Sequence, residues 1–344
     1  DWLAGGHYPS PKIAIEYARI IRDASMKRRA TDILRAIHNS LQNHKSNATE
    51  VLQNGAEQLQ VLSNRVAALR SGASDVEEFE KRMDDAVAGR QVVCIPTGIE
   101  ALDEAIGGLQ ASVLTMLVAL PGVGKSAFLA SILYSLCERR IKVGFFSLED
   151  ERMWITNRLM AVTTGVPLFH IQTQRNIHHA QNDRFKSQRE YARELLSSAI
   201  IDDRPGLTVG DIVESAKDMI LTHKCEVLML DHLGEIRMSR SDRYDLDVAD
   251  VLSQLRNLAK RHKIPIIVAA HARRRQGLTE NDAPALTDFA NSSAPERMAR
   301  VAIGLSRIDG GVRASILKQT NGPTGQHLNL KLVMSAGVLS GDTL

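Results

Sequence analysis

Val113-Leu-Thr-Met-Leu-Val-Ala-Leu120, followed at once by Pro121-Gly-Val-Gly-Lys-Ser126, is the stretch that decides how this chain is read. An almost unbroken apolar run predicts a buried strand, and the residues after it predict a loop that grips phosphate. Gly122 and Gly124 admit backbone conformations in which successive N–H groups point inward at an anion. Lys125 places a compact positive charge near the outer phosphates, and Ser126 offers its hydroxyl to a magnesium ion. From Ser126 to Leu133 the pattern is helical, so the positive end of that helix faces the phosphates. The consensus loop has glycine at its first position, where this chain has Ala119. The strand before and the helix after nevertheless favour nucleotide binding over a chance glycine-rich turn. Pro121, Gly122, Val123, Gly124, Lys125, Ser126 and Ala127 are therefore expected to form the nucleotide cradle.

Working outward, Asp231 closes the apolar strand Val227–Leu230, where such a fold needs a carboxylate to hold magnesium and its water. Glu149 follows the strand Val143-Gly-Phe-Phe-Ser-Leu148. It can orient and deprotonate the attacking water, or simply belong to a helix N-terminal cluster with Asp150 and Glu151. His271 ends the strand Ile264–Ala270, either to contact the terminal phosphate or as a structural residue. Arg273-Arg-Arg275 follows, and Arg237, Arg240 and Arg243 lie after Asp231. Basic loops at these strand ends can track a phosphate backbone, although charge runs are commonly just solvated surface. His170, His178 and His179 lack the spacing of metal ligands.

The 344 residues suffice for one large domain and a smaller one. With 43 basic against 40 acidic side chains the formal charge is +3, so bulk charge does not announce a nucleic-acid binder. No apolar run approaches about 18 residues and no signal-peptide layout is seen, so a soluble, cytoplasmic chain without a membrane span is expected. Cys94, Cys137 and Cys225 suit reduced thiols better than a disulfide framework or zinc site. A chain beginning at Asp1 is expected to be a piece of something longer. Apolar residues recur at helical spacing from about Ser10 to Asn43, and a second helix is expected to open at Asn47. This hairpin has apolar stripes to bury on more protein upstream or on a partner copy. Ser71-Gly-Ala-Ser-Asp75 reads as a linker by composition. A short charged helix from Val76 to Ala88 carries Val76, Phe79, Met83 and Val87 on one side, for its own domain or for a neighbouring subunit. Beyond Val92 the pattern becomes strands, at Val113–Leu120, Lys142–Ser147, Ala199–Asp202, Glu226–Leu230, Ile264–Ala270, Val301–Ser306 and Ala314–Lys318. Several are apolar on both faces, as in a mostly parallel sheet covered by helices: an α/β fold.

In this order the elements resemble the DnaB-type replicative helicases, built on a RecA-like motor domain. Pro96-Thr-Gly-Ile-Glu-Ala-Leu-Asp103 with Gly107-Gly-Leu109 is similar to the family's entry segment, and Ala119–Ser126 to its P-loop, where alanine at the first position is common. Phe146-Ser-Leu-Glu149 matches the catalytic-glutamate motif, with Arg158 where the next helix carries an arginine. Ile201-Asp-Asp-Arg-Pro-Gly-Leu-Thr-Val209, Leu230-Asp-His-Leu233 and Lys318-Gln-Thr-Asn-Gly-Pro-Thr-Gly325 complete the match.

The resemblance implies a RecA-like P-loop NTPase at 93–344, a helical hairpin from an N-terminal domain at 1–70, and a subunit-docking linker helix within 71–92. It implies a homo-hexamer moving 5′ to 3′ on single-stranded DNA, with ATP and Mg2+ between neighbours and a loader and primase as partners. Lys125, Ser126, Glu149, Asp231 and Arg158 would act from one subunit. Lys318 would reach into the neighbour's site, and His271 would sense phosphate. Arg237, Arg240, Arg243 and Arg274, with Asn291, Ser292 and Ser293, would face DNA.

Two departures stand out. Where the family signature has an arginine finger this chain has Thr320, and such a finger is worth ~10³–10⁵ in rate, or about 4–7 kcal/mol of barrier. Lys318, Arg307 or Arg313 are the candidates to supply the missing charge. The second DNA loop, usually Arg-Glu-Ser-Gly, is Ala290-Asn-Ser-Ser293 here, with Arg297 and Arg300 nearby to compensate. Such divergence suits a phage or mobile-element helicase. The departures also leave open an oligomeric scaffold or regulator that binds nucleotide and DNA without unwinding. A recombination or clock-type RecA-like ATPase fits less well, since those lack the 201–209 segment.

Overall fold

The computed structural model describes residues 11–42, 48, 51–52, 54–56, 58–59, 62, 72–88, 94–175, 179–238, 244–273, 279–289, 294–333 and 338–343. The chain divides into two compact units, Asp1–Gln91 and Val92–Leu344.

In the first unit a helix runs over Pro11–Leu41. Helical residues at 54–56 return to it, and Gly55 lies so close to Ile37 that an added Cβ would overlap its side chain. Gly55 and Ile37 are thus in close contact, while Tyr17, Ile20 and Leu34 stay exposed. The next helix spans Gly72–Val87, so most of the segment read as a linker is in fact its first turn. Small and polar residues ending in an aspartate suit a helix N-terminus as well as a linker, because Asp75 complements the positive helix end. Val76, Phe79, Met83 and Val87 form an exposed apolar row along it.

The second unit is built on a nine-stranded sheet, preceded by the short pair β1 (Cys94–Ile95) and β2 (Leu109–Gln110). The sheet consists of β3 (Leu114–Ala119), β4 (Val143–Ser147), β5 (Ala199–Asp202), β6 (Val227–Asp231), β7 (Ile266–His271), β8 (Val301–Ile308), β9 (Gly311–Gln319), β10 (His327–Val333) and β11 (Val338–Thr343). Their spatial order is β11-β10-β9-β8-β3-β7-β6-β4-β5. From β8 to β5 every pairing is parallel, while β8 through β11 pair antiparallel. Every residue of β3, β4 and β6 is buried, as helices packed on both faces require.

Two differences from the sequence reading have local causes. The strand expected from Ile264 starts at Ile266, because Ile264 still donates its N–H to the Ala259 carbonyl at the end of the preceding helix. Strands β10 and β11 were not expected at all. His327-Leu-Asn-Leu-Lys-Leu-Val333 alternates polar and apolar residues, which is the weaker signal of a strand near a sheet edge. Parallel register is what positions the site. Ala119 lies opposite His271, and Ser147 opposite Asp231, so the chemistry-bearing ends of β3, β7, β4 and β6 converge.

Candidate active site

Between β3 and the helix Lys125–Glu138, the loop turns on Gly122 at φ 79° and Gly124 at φ 120°, backbone conformations that favour glycine. Ala119, by contrast, is still in the strand and fully buried, with its carbonyl accepting from Ala272 N–H, so no glycine is needed there. All seven expected cradle residues, Pro121 to Ala127, line one cavity of about 420 Å³. Glu149, Arg158 and His271 line it too.

Lys125 is buried, and its Nζ lies 2.8 Å from His271 Nδ1. Burial lowers its pKa to about 8, against the pull of Asp231 and Glu149. Asp231, also buried, is pushed up to about 6 by desolvation, opposed by a hydrogen bond from Ser126 and by the Lys125 charge. Its Oδ1 has no partner and is sealed from solvent. A buried carboxylate oxygen without a donor, next to a serine hydroxyl at the positive end of a helix, suits a hard cation such as Mg2+.

Glu149 sits in the turn after β4. That turn is held by Leu148 N–H to the Asp231 carbonyl, 2.7 Å, and by Ser147 Oγ to the Asp150 carbonyl, 2.6 Å. The following helix, Arg152–Thr164, has Glu151 as its N-cap and no side-chain cap bond, so Glu149 does not serve as that cap. Its Oε2 instead lies 3.2 Å from Nε2 of His232, a residue the sequence reading passed over. His232 and His271 pack edge to face with ring centroids 4.1 Å apart. Both are held down to about 4, chiefly by burial and then by Lys125, so both rings are neutral at physiological pH.

Arg158 comes from the helix Arg152–Thr164. That helix is tied to the end of β5 by the Asp203 carboxylate, which accepts from Arg152 N–H at 3.0 Å and faces Arg152 Nε at 3.3 Å. Asp202 is itself clamped by Arg204 and Ser215, and Thr208 with Asp211 caps the next helix. The 201–209 segment is thus scaffolding beside the site. Burial depresses the Arg158 guanidinium, while Asp150 and Asp231 favour its charge.

The hairpin of β8 and β9 closes over the loop. Arg307 Nη2 donates to the Gly122 carbonyl at 2.6 Å and Nη1 pairs with Glu280 at 2.8 Å, while Gly311 and Val312 reach the cavity wall. Arg307 is therefore engaged by the loop of its own chain. Arg313 is engaged by Asn329 at 3.0 Å. Lys318 donates to the Glu296 carbonyl and is absent from the cavity lining. Thr320 gives both its N–H and its hydroxyl to the Arg300 carbonyl. Of the residues expected at DNA, Arg237 is exposed, and its N–H pairs with the Leu207 carbonyl. Arg240, Arg243, Arg274, Arg275, Ala290, Asn291, Ser292 and Ser293 lie outside the described residues, as do Asn47 and His178.

Residues 94–334 match the family model of the DnaB-like helicase C-terminal domain, well over half the chain. The chain belongs to that family. Among relatives, the replicative DNA helicase DnaB of Treponema pallidum (strain Nichols) is 28% identical over 342 residues, covering 94% of this chain and 76% of that protein. The replicative DNA helicase DnaB of Rickettsia bellii (strain RML369-C) is 27% identical over 316 residues, covering 85% of this chain. This chain spans 62% of the Rickettsia protein's length. A solved DnaB-like replicative helicase, described together with its interactions with primase, superposes with a TM-score of 0.74 at 17% identity. It covers 94% of this chain and 78% of its own. A second solved structure, of an isolated ATPase domain, superposes with a TM-score of 0.68 at 19% identity, covering 78% of this chain and 99% of that one. These likenesses establish the DnaB-like, RecA-type fold with helices ahead of it. Among the described residues, no helix is long and apolar enough to cross a membrane.

Proposed function

We propose that this chain is the motor of a ring-shaped replicative helicase, hydrolysing ATP to move along single-stranded DNA and part the duplex at a fork. The observation that carries the proposal is the convergence of the loop 121–127, Glu149, Arg158 and His271 on one cavity, with Asp231 bonded to Ser126 beside it. Backbone N–H groups and Lys125 hold the phosphates, and Arg158 adds charge from the facing helix. Bound through Ser126 and Asp231, Mg2+ would supply neutralisation of the phosphate charge that develops during transfer. Glu149 orients a water in line with the terminal phosphate and takes its proton. His271, bonded to Lys125 without nucleotide, is placed to register the arrival of the phosphate and pass it to the loop that begins at Ala272.

Lys318 lies off its own chain's cavity, which supports its action on a neighbour's nucleotide in a homo-hexamer. The exposed row Val76, Phe79, Met83 and Val87 supports a helix that docks on the next subunit. On the family likeness we also propose translocation 5′ to 3′, partnership with a loader and a primase, and residence in the cytoplasm of a bacterial or phage-infected cell. The deciding experiment measures ATP turnover with and without single-stranded DNA, and strand displacement on a forked duplex. Turnover stimulated by DNA together with strand displacement is the expected result. Turnover indifferent to DNA counts against the motor.

Thr320 favours one alternative, an oligomeric scaffold or regulator that binds DNA and ATP yet displaces no strand. Thr320→Arg tests the charge itself. Because Thr320 is exposed and its hydroxyl makes only a bond to the Arg300 carbonyl, arginine is tolerated there. Turnover should rise several-fold, with a ceiling of about 10³–10⁵. Unchanged turnover means that another residue already fills the finger's role.

A further inference from the structure

His232 follows the magnesium carboxylate Asp231 directly, yet its side chain is only 4% exposed and faces away from solvent into the group around Glu149. Its Nδ1 accepts the Gly234 N–H at 3.0 Å. That bond requires a lone pair on Nδ1, so the ring proton sits on Nε2. Nε2 in turn lies 3.2 Å from Glu149 Oε2, and 3.8 Å from Glu235 Oε1, beyond hydrogen-bond range. The absence of a side chain at residue 234 is part of the arrangement. A Cβ there would come within 2.9 Å of His232 Cε1, pushing the ring off its amide. On its other face the ring is set by His271 at 4.1 Å and 76°.

We infer that His232 is a positioning residue for Glu149, its ring anchored by the Gly234 amide and its Nε2–H fixing the carboxylate at the mouth of the cavity. The inference rests on the ATP-hydrolysis reading above. Glu149 needs such a partner, since its side chain is 48% exposed and the turn that carries it constrains only the backbone. A base displaced by about 1 Å from its reacting geometry costs roughly 10² in rate.

A competing use of the same groups is a transition-metal site. Glu149, His232 and His271 each offer a ligand atom, all within 4.8 Å of one another. Ligating imidazoles direct a lone pair at the metal and give their other N–H to an acceptor. Here the Nδ1 atoms of both rings face donors, the Gly234 amide for His232 and the Lys125 ammonium for His271. The pattern therefore suits donation to Glu149 and opposes ligation.

The test uses the full chain with His232→Leu, which removes the donor, and His232→Gln, whose amide nitrogen reaches where Nε2 was. Leucine should lower kcat for ATP by about 10- to 100-fold with KM within about twofold, and glutamine should recover most of it. In a Glu149→Gln background the leucine change should cost nothing further. Should the leucine variant fail to fold, His232→Asn takes its place, because its shorter amide reaches Gly234 but not Glu149. Glu235→Gln should leave turnover unchanged. Glutamine no better than leucine, a loss that multiplies in the Glu149→Gln background, or one Zn2+ bound per chain and lost in both His232→Leu and Glu149→Gln each overturns the inference. A wild type that turns over ATP with no response to His232→Leu overturns this inference alone. A wild type without turnover overturns the ATPase reading together with it.

Discussion

Glu149→Gln is expected to lower ATP turnover by about 10²–10⁴, the usual worth of a general base, while nucleotide affinity stays within a few-fold. The amide keeps the size of the carboxylate and a carbonyl oxygen for the His232 donor, so the turn after β4 should hold its shape. What disappears is proton acceptance from water. Binding of a fluorescent ATP analogue, measured beside single-turnover hydrolysis, separates the two effects. Retention of more than a tenth of wild-type turnover would place the base elsewhere, with Asp150 as the first residue to examine.

Asp231→Asn is expected to act in two directions at once. Turnover is lost, because the buried oxygen that suits Mg2+ gives way to a group that cannot carry charge. The nucleotide-free protein becomes more stable. Desolvation raises the Asp231 pKa from 3.8 to about 6, so the folded chain pays for an ionised carboxylate at every pH above that value. The penalty is fully present above pH 6, declines as pH falls, and is gone near the unfolded value of 3.8. A shift of about two units sets a ceiling of roughly 3 kcal/mol. Ser126 bonds an amide less strongly, and Lys125 loses the larger of the two carboxylate charges that favour its own, so about 1–3 kcal/mol is the expected gain. Urea unfolding at pH 7.5 should show it, and the difference between variant and wild type should shrink at pH 5. A variant less stable than wild type at pH 7.5 would mean that Asp231 stabilises the empty site.

Much of this site is written in short stretches. Pro121 to Ala127 are recognisable because the chemistry of the loop is local: glycines for two left-handed turns, then a lysine and a hydroxyl at the start of a helix. Asp231 and Glu149 were marked by standing just beyond apolar runs. His232 stood next to Asp231 and carried no such mark, since one histidine at a strand end has no periodicity or spacing that separates a donor from a filler of space. Arg307 stands out in the sequence only as one of three candidates for the missing finger charge, and its bond to the Gly122 carbonyl of its own chain is visible only in the fold. The first turn of the helix at Gly72 has the composition of a linker, so composition alone does not separate the two.

Taken alone, the order of residues pointed to the nucleotide-binding class, the strand–loop–helix, the parallel α/β plan and the family. Each of these depends on neighbours a few positions apart, where backbone preference and hydrophobic periodicity act directly. Tertiary structure alone decided which groups meet. Lys125 touches His271 across 146 positions, and Arg307 reaches Gly122 across 185. Such contacts follow from the parallel register that aligns Ala119 with His271 and Ser147 with Asp231, and from an antiparallel hairpin folded over the loop. Register comes from how whole strands bury both faces against one another, a property of the packed sheet that no single segment contains.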